Sequence, residues 1–235
     1  MANPLFNDKV IESAGSSAEA MTVSGTIGKS ILLTLITVAT AFIGWSYVPF
    51  PVAIICAIVA MVVAFITFFK PTTSPIAAPG YAILEGLFLG SISAFYTQRY
   101  GNGIVLQALM LTFGILFMML VLYQTRIIRV TEKFRSVIIM ATLGIGLLYL
   151  VSMVAGFFGA NLTFLNGGTT FSIGLNVFIA VIASLNFLLD FDTIERGAEA
   201  QAPKYMEWTA GMGLLITIIW LYLEILRLLA QLQRR

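Results

Sequence analysis

The sequence predicts an all-α integral membrane protein with seven transmembrane helices. Apolar residues make up 59% of its 235 residues and charged residues only 10%, whereas about 25% of a soluble domain is charged. The mean hydropathy is +0.97, and the apolar residues form seven runs that are each long enough to cross a bilayer. Seven spans of about 20 residues leave little chain for a separate domain. Any chemistry therefore has to lie among the helices.

Prolines and polar linkers separate the seven runs. Pro49 and Pro51 predict a tight reversal after the first run, and Pro79 predicts the start of the third, because proline interrupts a helix. Residues 1–29 are polar, so we expect a mobile cytoplasmic tail before a transmembrane domain of residues 30–235. The predicted spans are residues 30–47, 51–69, 79–97, 104–123, 136–158, 170–191 and 209–231.

The positions of Lys and Arg predict the orientation. The linker of residues 124–135 contains Arg126, Arg129, Lys133 and Arg135, whereas the linker of residues 159–169 contains no charge. Basic loops stay in the cytoplasm, so we expect a cytoplasmic N-terminus. The C-terminal arginines fit this rule poorly if the last run crosses the membrane, which leaves a re-entrant last segment as an alternative.

The composition excludes several kinds of site. The chain has no His, and therefore no Ser-His or Cys-His nucleophile pair and no His-ligated zinc. Its single cysteine, Cys56, excludes an intrachain disulfide. No long basic run accompanies the net charge of +2, so nothing indicates a nucleic-acid partner. We expect no enzyme activity and no cofactor.

Small residues recur within two of the runs. Gly86 and Gly90 form a GxxxG pattern in the third run, and Gly144, Gly146 and Gly156 lie in the fifth. Such residues let helix backbones approach closely in lipid. We interpret them as helix contacts without a further role.

Three of the eleven carboxylates lie within apolar runs, namely Glu85, Asp190 and Glu224. A charge at the centre of a span costs about 2.5–3.5 kcal/mol, so such groups usually mark an ion path or a proton relay. Helical spacing places Asn186 and Thr193 on the face of Asp190. It places Thr217 and Arg227 on the face of Glu224. These residues predict a polar seam that faces the inside of the bundle.

A pair of buried carboxylates is suited to sensing pH. Two such groups share a proton because their charges repel each other; once deprotonated, they offer the oxygen ligands that Ca²⁺ prefers. Asp190 and Glu224 are the candidate pair and the candidate transient Ca²⁺ ligands. Two alternatives stay open: Glu224 pairs with Arg227 as a structural ion pair, and Asp190 lies at the water interface. Glu85 is an alternative partner for Asp190, because Glu224 lies about 22 Å along a last span that begins at Thr209.

Six stretches carry a resemblance to a known family. They are MTVSGTIGK (residues 21–29), EGLFLGSISAFY (85–96), GIVLQALMLTFG (103–114), IRVTEKFR (128–135), LDFDTIERGAEAQAPKYMEW (189–208) and LYLEILRLL (221–229). Together they resemble the Bax inhibitor (transmembrane Bax inhibitor motif) family, specifically its bacterial branch.

The resemblance implies a fold with the last helix central between two three-helix layers. It also implies a pH-sensitive cation leak that passes Ca²⁺, with an aspartate pair on the sixth and seventh helices as the proton sensor. Asp190 and Glu224 match that pair, although this chain has Glu at the second position and a longer linker between the two. The inner (plasma) membrane is the implied location.

These observations favour a Ca²⁺ leak channel gated by protonation. A secondary transporter that exchanges H⁺ for a cation is the second hypothesis, with the same carboxylates as its site. The third is a membrane regulator of a protease or stress pathway that binds a membrane-protein partner and transports nothing. The lipid bilayer, Ca²⁺ and H⁺ are the expected partners under the first two hypotheses.

Overall fold

The computed structural model describes residues 19–158 and 169–233. Within these residues it has seven helices that are long and apolar enough to cross a membrane, which confirms the predicted fold class. They are α1 (Val23–Tyr47), α2 (Phe50–Phe69), α3 (Ser74–Tyr100), α4 (Gly103–Gln124), α5 (Glu132–Phe157), α6 (Thr170–Glu199) and α7 (Met206–Leu232).

The first helix begins earlier than predicted. Thr22 is the N-cap of α1, and its side chain accepts a hydrogen bond from the Gly25 N–H, which satisfies one of the free donors of the first turn. Residues 23–29 are therefore helical, and the predicted tail boundary at residue 29 is set too late. Residues 1–18 of that tail lie outside the described residues.

Pro79 does not begin the third helix, contrary to the prediction. It lies inside α3, which starts at Ser74 after a 3-10 turn at Pro71–Thr73. Pro79 is the sixth residue of α3, beyond the first turn, so its missing N–H removes one intrahelical hydrogen bond. The side chain of Ser74 instead donates to the Tyr205 carbonyl at 2.9 Å, which ties this start to α7.

The last two helices form a long antiparallel pair. The sixth helix continues past its predicted end at residue 191 as far as Glu199. The seventh is continuous from Met206 to Leu232, and at 1.5 Å per residue its 27 residues extend about 40 Å. It therefore crosses the bundle as one helix, and the re-entrant alternative for the last segment is wrong.

The last helix occupies the centre of the bundle. It packs against α1, α3, α4 and α6, and Leu215, Leu221 and Leu226 on it are almost fully buried. Within the described residues α1, α2 and α3 pack together on one side, and α4, α5 and α6 form the second layer. We call the end of the bundle at which α1 begins the N-terminal end; α3, α5 and α7 also begin there.

Glycines permit the tightest helix contact, between α1 and α3. A Cβ on Gly86 would lie 2.4 Å from the Thr37 carbonyl oxygen, and one on Gly90 would lie 1.9 Å from that of Ala41. The GxxxG interpretation is thus confirmed. Among the described residues, no atom of another helix lies within 4 Å of a Cβ added to glycine 144, 146 or 156 of α5, so the predicted close approach at the fifth helix is wrong there.

Candidate functional site

Asp190 lies on α6 where this helix faces α7. Its side chain is half-buried and interacts with the Thr217 hydroxyl. The Oδ2 atom is buried and has no hydrogen-bond partner among the described residues. Buried polar atoms are rarely left without a partner, which makes this carboxylate the most unusual polar group of the predicted seam.

The register of the α6–α7 pair keeps Asp190 away from Glu224. Near the other end of the pair, the Asn176 amide donates to Gln231 at 2.9 Å. Fourteen residues along each helix from that contact, Asp190 lies opposite Thr217. Glu224 is seven residues beyond Thr217, about 10 Å along the helix axis. The structure therefore does not bring the two predicted sensor residues together, and a Ca²⁺ ion between them would require α7 to shift.

Glu224 forms a buried ion pair with the nearby Arg227. Only 1% of Glu224 is exposed, and its Oε2 lies 3.4 Å from the Arg227 Nη1. The Tyr149 hydroxyl on α5 donates to Glu224 and accepts from Arg227 at 2.8 Å, and the Trp220 indole N–H also donates to Glu224 at 3.3 Å. This arrangement matches the structural ion pair that the sequence left open.

The other predicted seam residues have separate partners. The Asn186 amide donates to Thr142 on α5 at 2.9 Å, and the Thr193 hydroxyl donates to the Leu189 carbonyl one turn earlier. Glu85 on α3 is buried and interacts with Tyr81, one turn earlier on the same helix. The side-chain partners of Asp190 and Glu85 thus differ, and the alternative Glu85–Asp190 pair does not form a direct contact.

A cluster that the sequence did not predict lies at the N-terminal end of the bundle. The Glu207 carboxylate is 1% exposed and accepts hydrogen bonds from the Thr22 N–H at 3.0 Å and the Thr22 hydroxyl at 3.1 Å. Its other oxygen pairs with Lys29 at 2.5 Å. A Cβ on Gly25 would collide with this carboxylate. We call Thr22, Gly25, Lys29 and Glu207 the α1–α7 clamp.

A second unpredicted network holds the end of α6. Asp192 is buried and forms ion pairs with Arg135 at the start of α5 and with Arg196 one turn later. Glu195 accepts from the Tyr123 hydroxyl and pairs with Arg126 at 2.6 Å. Hydrogen bonding to Glu195 raises the pKa of the Arg126 guanidinium. These contacts explain why α6 stays helical beyond its apolar run.

Comparison with families of known proteins identifies one match that spans nearly the whole chain. The family described as Bax inhibitor 1 like matches residues 3–234. The chain belongs to this family. The resemblance found in the sequence is thereby confirmed, and all seven helices of this Bax inhibitor 1 like protein lie within the match. A comparison with individual curated proteins finds no match.

In this Bax inhibitor 1 like protein, the carboxylates of the seam have unequal electrostatic surroundings. Glu224 faces a cation and two neutral donors, so its charge is compensated where it lies. Asp190 faces one hydroxyl, and the same hydroxyl is also 3.3 Å from the Gly213 carbonyl. A threonine hydroxyl has a single hydrogen to donate. The hydroxyl can therefore donate a full hydrogen bond either to a charged Asp190 or to the Gly213 carbonyl, but not to both.

Proposed function

We propose that this protein is a pH-sensitive cation leak that passes Ca²⁺ along the α6–α7 contact, gated by protonation of Asp190. The observation that carries the proposal is the buried Oδ2 atom of Asp190, which has no hydrogen-bond partner in the described part of the chain. This atom belongs to a helix long and apolar enough to cross a membrane. Membership of the Bax inhibitor 1 like family supports the proposal through the leak that the family resemblance implies.

The two protonation states of Asp190 require different surroundings. A charged carboxylate within a span costs about 2.5–3.5 kcal/mol unless water, a cation or donors compensate it. Protonated Asp190 is neutral and fits the tightly closed α6–α7 contact. Deprotonated Asp190 draws the Thr217 hydroxyl hydrogen away from Gly213 and favours entry of water and a cation between the helices. Its oxygens are ligands that suit Ca²⁺. Flux therefore increases as the pH rises.

Glu224 has a supporting role in this proposal. Arg227 and Tyr149 already compensate its charge, so protonation of Glu224 is not needed to stabilise the closed state. The proposed sensor is thus Asp190 with Thr217, rather than the pair Asp190 and Glu224. Thr217 is the positioning residue, because it acts through the carboxylate of Asp190.

The decisive experiment measures Ca²⁺ flux into proteoliposomes across a pH series. We expect flux through the wild type to rise with pH, and flux through Asp190→Asn to stay at one level. Glu224→Gln is the matched control, since it removes the other buried carboxylate of the pair; it should keep the pH dependence. Thr217→Val should shift the midpoint of the pH curve, and Thr217→Ser should restore it.

Three results would count against the proposal. A wild-type pH curve in Asp190→Asn would exclude Asp190 as the sensor. A flat curve in Glu224→Gln as well as Asp190→Asn would show that the two carboxylates act as a pair after all. Ca²⁺ uptake that depends on a counter-gradient of H⁺ would identify a secondary transporter, because a leak dissipates its gradient without obligatory exchange.

A further inference from the structure

A crevice runs along the outside of the bundle between α1 and α4. Both helices pack against α7, but a gap separates their outer halves, and Leu214 and Ile218 of α7 line its base. The gap contains two cavities of about 560 Å³ and 340 Å³. Thr34, Phe113 and Ile218 line both cavities, so the two adjoin near the middle of the membrane.

The larger cavity has the length of one leaflet. On α1 it extends from Val23 at the N-terminal end to Leu35, twelve residues or about 18 Å at 1.5 Å per residue. One leaflet of a bilayer contributes about half of the roughly 30 Å hydrocarbon thickness. Ile27 and Leu35 at the rim are 50% and 61% exposed, so the crevice opens sideways along α1, on a surface that faces lipid if α1 spans the membrane.

The chemistry of the larger cavity changes along its length. Apart from Ser30 and Thr34, its walls in the membrane are aliphatic and aromatic, whereas Tyr123, Gln124 and Glu195 line it at the N-terminal end. Arg126 lies next to this end, paired with Glu195 through a side chain that remains 58% exposed. Arg129 follows in the same loop, is exposed, and has no ion pair among the described residues. An apolar trough thus ends beside the Arg126–Glu195 ion pair, and the Arg129 guanidinium follows three residues later in the same loop.

We propose that the N-terminal half of this crevice binds one anionic phospholipid. One of its acyl chains lies between α1 and α4 against Leu214 and Ile218, and its phosphate meets Arg126, whose side chain remains 58% exposed beside Glu195. The length of the cavity, its opening along α1 and the two arginines of the adjoining loop match a lipid of one leaflet, with the chain in the apolar part and the phosphate at the surface. Bound there, the chain packs against α7 between α1 and α4.

Native mass spectrometry of detergent-purified protein tests the proposal. Delipidated protein is titrated with phosphatidylglycerol, which is anionic, or with phosphatidylcholine, which has no net charge. We expect one phosphatidylglycerol molecule per chain and weaker retention of phosphatidylcholine. Leu116→Trp on α4 should fill the crevice and weaken phosphatidylglycerol binding at least tenfold. Leu147→Trp is the control, because Leu147 on α5 is 61% exposed and lies away from the crevice.

Three further variants protect the test against a misfolded mutant and test the role of Arg126 at the mouth of the crevice. Leu35→Trp blocks the crevice from the α1 side. If only one of the two blocking variants, Leu116→Trp or Leu35→Trp, unfolds thermally like the wild type, lipid binding to that variant is enough to test the proposal. Arg126→Gln should remove the preference for phosphatidylglycerol over phosphatidylcholine, whereas Arg99→Gln at the opposite end of α3 should leave it intact.

Each result that would contradict lipid binding in the crevice has a different meaning. Equal binding by wild type and both blocking variants would place the lipid elsewhere and overturn the proposal. Absence of a stoichiometric lipid in the wild type would do the same. A dimer that disappears in Leu116→Trp would show that the crevice holds a helix of a second copy instead. None of these readouts depends on Ca²⁺ flux, so failure here leaves the proposed function untouched.

Discussion

Replacing Glu224 with Gln should destabilise the protein through Arg227. The substitution keeps the size of the side chain and an oxygen for the Tyr149 hydroxyl, but it removes the negative charge. Arg227 then remains as a cation whose side chain is only 28% exposed, in a helix that crosses the membrane. Loss of one partner from a buried ion pair costs about 3–5 kcal/mol.

Three features of the pair reduce this cost. The closest charged atoms are 3.4 Å apart, the Arg227 side chain lies partly at the protein surface, and it keeps the 2.8 Å hydrogen bond to Tyr149 and its position over the Tyr149 ring. We therefore expect a loss of about 2 kcal/mol in the free energy of unfolding, below the range for a fully buried pair. For a chain of this size that corresponds to a fall in Tm of roughly 4–8 °C.

A double-mutant cycle in detergent micelles measures the coupling. Arg227→Leu alone should be at least as damaging, because it leaves a carboxylate that is 2% exposed without its cation. Glu224→Gln together with Arg227→Leu should regain most of the lost stability. The reasoning is refuted if the two single effects add to within about 0.5 kcal/mol, since additivity of that kind indicates residues that do not interact.

Three further predictions follow from the helix contacts and the charge distribution. Gly86→Ala should cost about 1–3 kcal/mol, because its Cβ would meet the Thr37 carbonyl, whereas a Cβ at Gly80 on the same helix has no contact within 4 Å among the described residues; equal Tm values for Gly86→Ala and Gly80→Ala would contradict the close α1–α3 contact. Glu207→Gln should cost about 3–5 kcal/mol through the buried clamp, while Glu132→Gln, whose pair with Arg196 is exposed, should cost less than about 1 kcal/mol; thermal unfolding of both variants compares them. A cysteine at Ser136, in a Cys56→Ser background, should resist an impermeant thiol reagent applied to intact cells, because the basic linker before it is expected in the cytoplasm; labelling from outside would reverse the predicted topology.

Much of the fold could be predicted because membrane spans are encoded locally. Apolar runs of sufficient length predict the seven helices, and the GxxxG pattern correctly predicts a close contact in α3. The ends of the helices are less predictable, because they depend on contacts with residues of other helices. The extension of α6 to Glu199 depends on Arg126 and Arg135, and the early start of α1 is stabilised by Glu207.

In the candidate site too, contacts between residues near each other in the sequence could be predicted, whereas contacts between distant residues could not. Glu224 and Arg227 are three residues apart on one helix, so their spacing predicts an ion pair as one of the two alternatives for Glu224. Tyr149 joins that pair from 75 residues away in the sequence, and no spacing rule indicates it. The register that sets Asp190 opposite Thr217 depends on the turn between α6 and α7, where Gln201 has a φ of 51°. Such a turn determines how far α7 is shifted along α6, and the periodicity of side chains along each helix does not indicate that shift.

The α1–α7 clamp has a consequence for how the chain is made. Thr22 and Glu207 are separated by 185 residues, so α1 leaves the ribosome and enters the bilayer long before its carboxylate partner exists. Until α7 arrives, Lys29 has no Glu207 to neutralise it, and α1, α3, α4 and α6 have no α7 to pack against. The six described helices before α7 therefore form an incomplete assembly. The last helix supplies both the central packing surface and the partner of Lys29, so we expect the bundle to be completed only when synthesis of the chain ends.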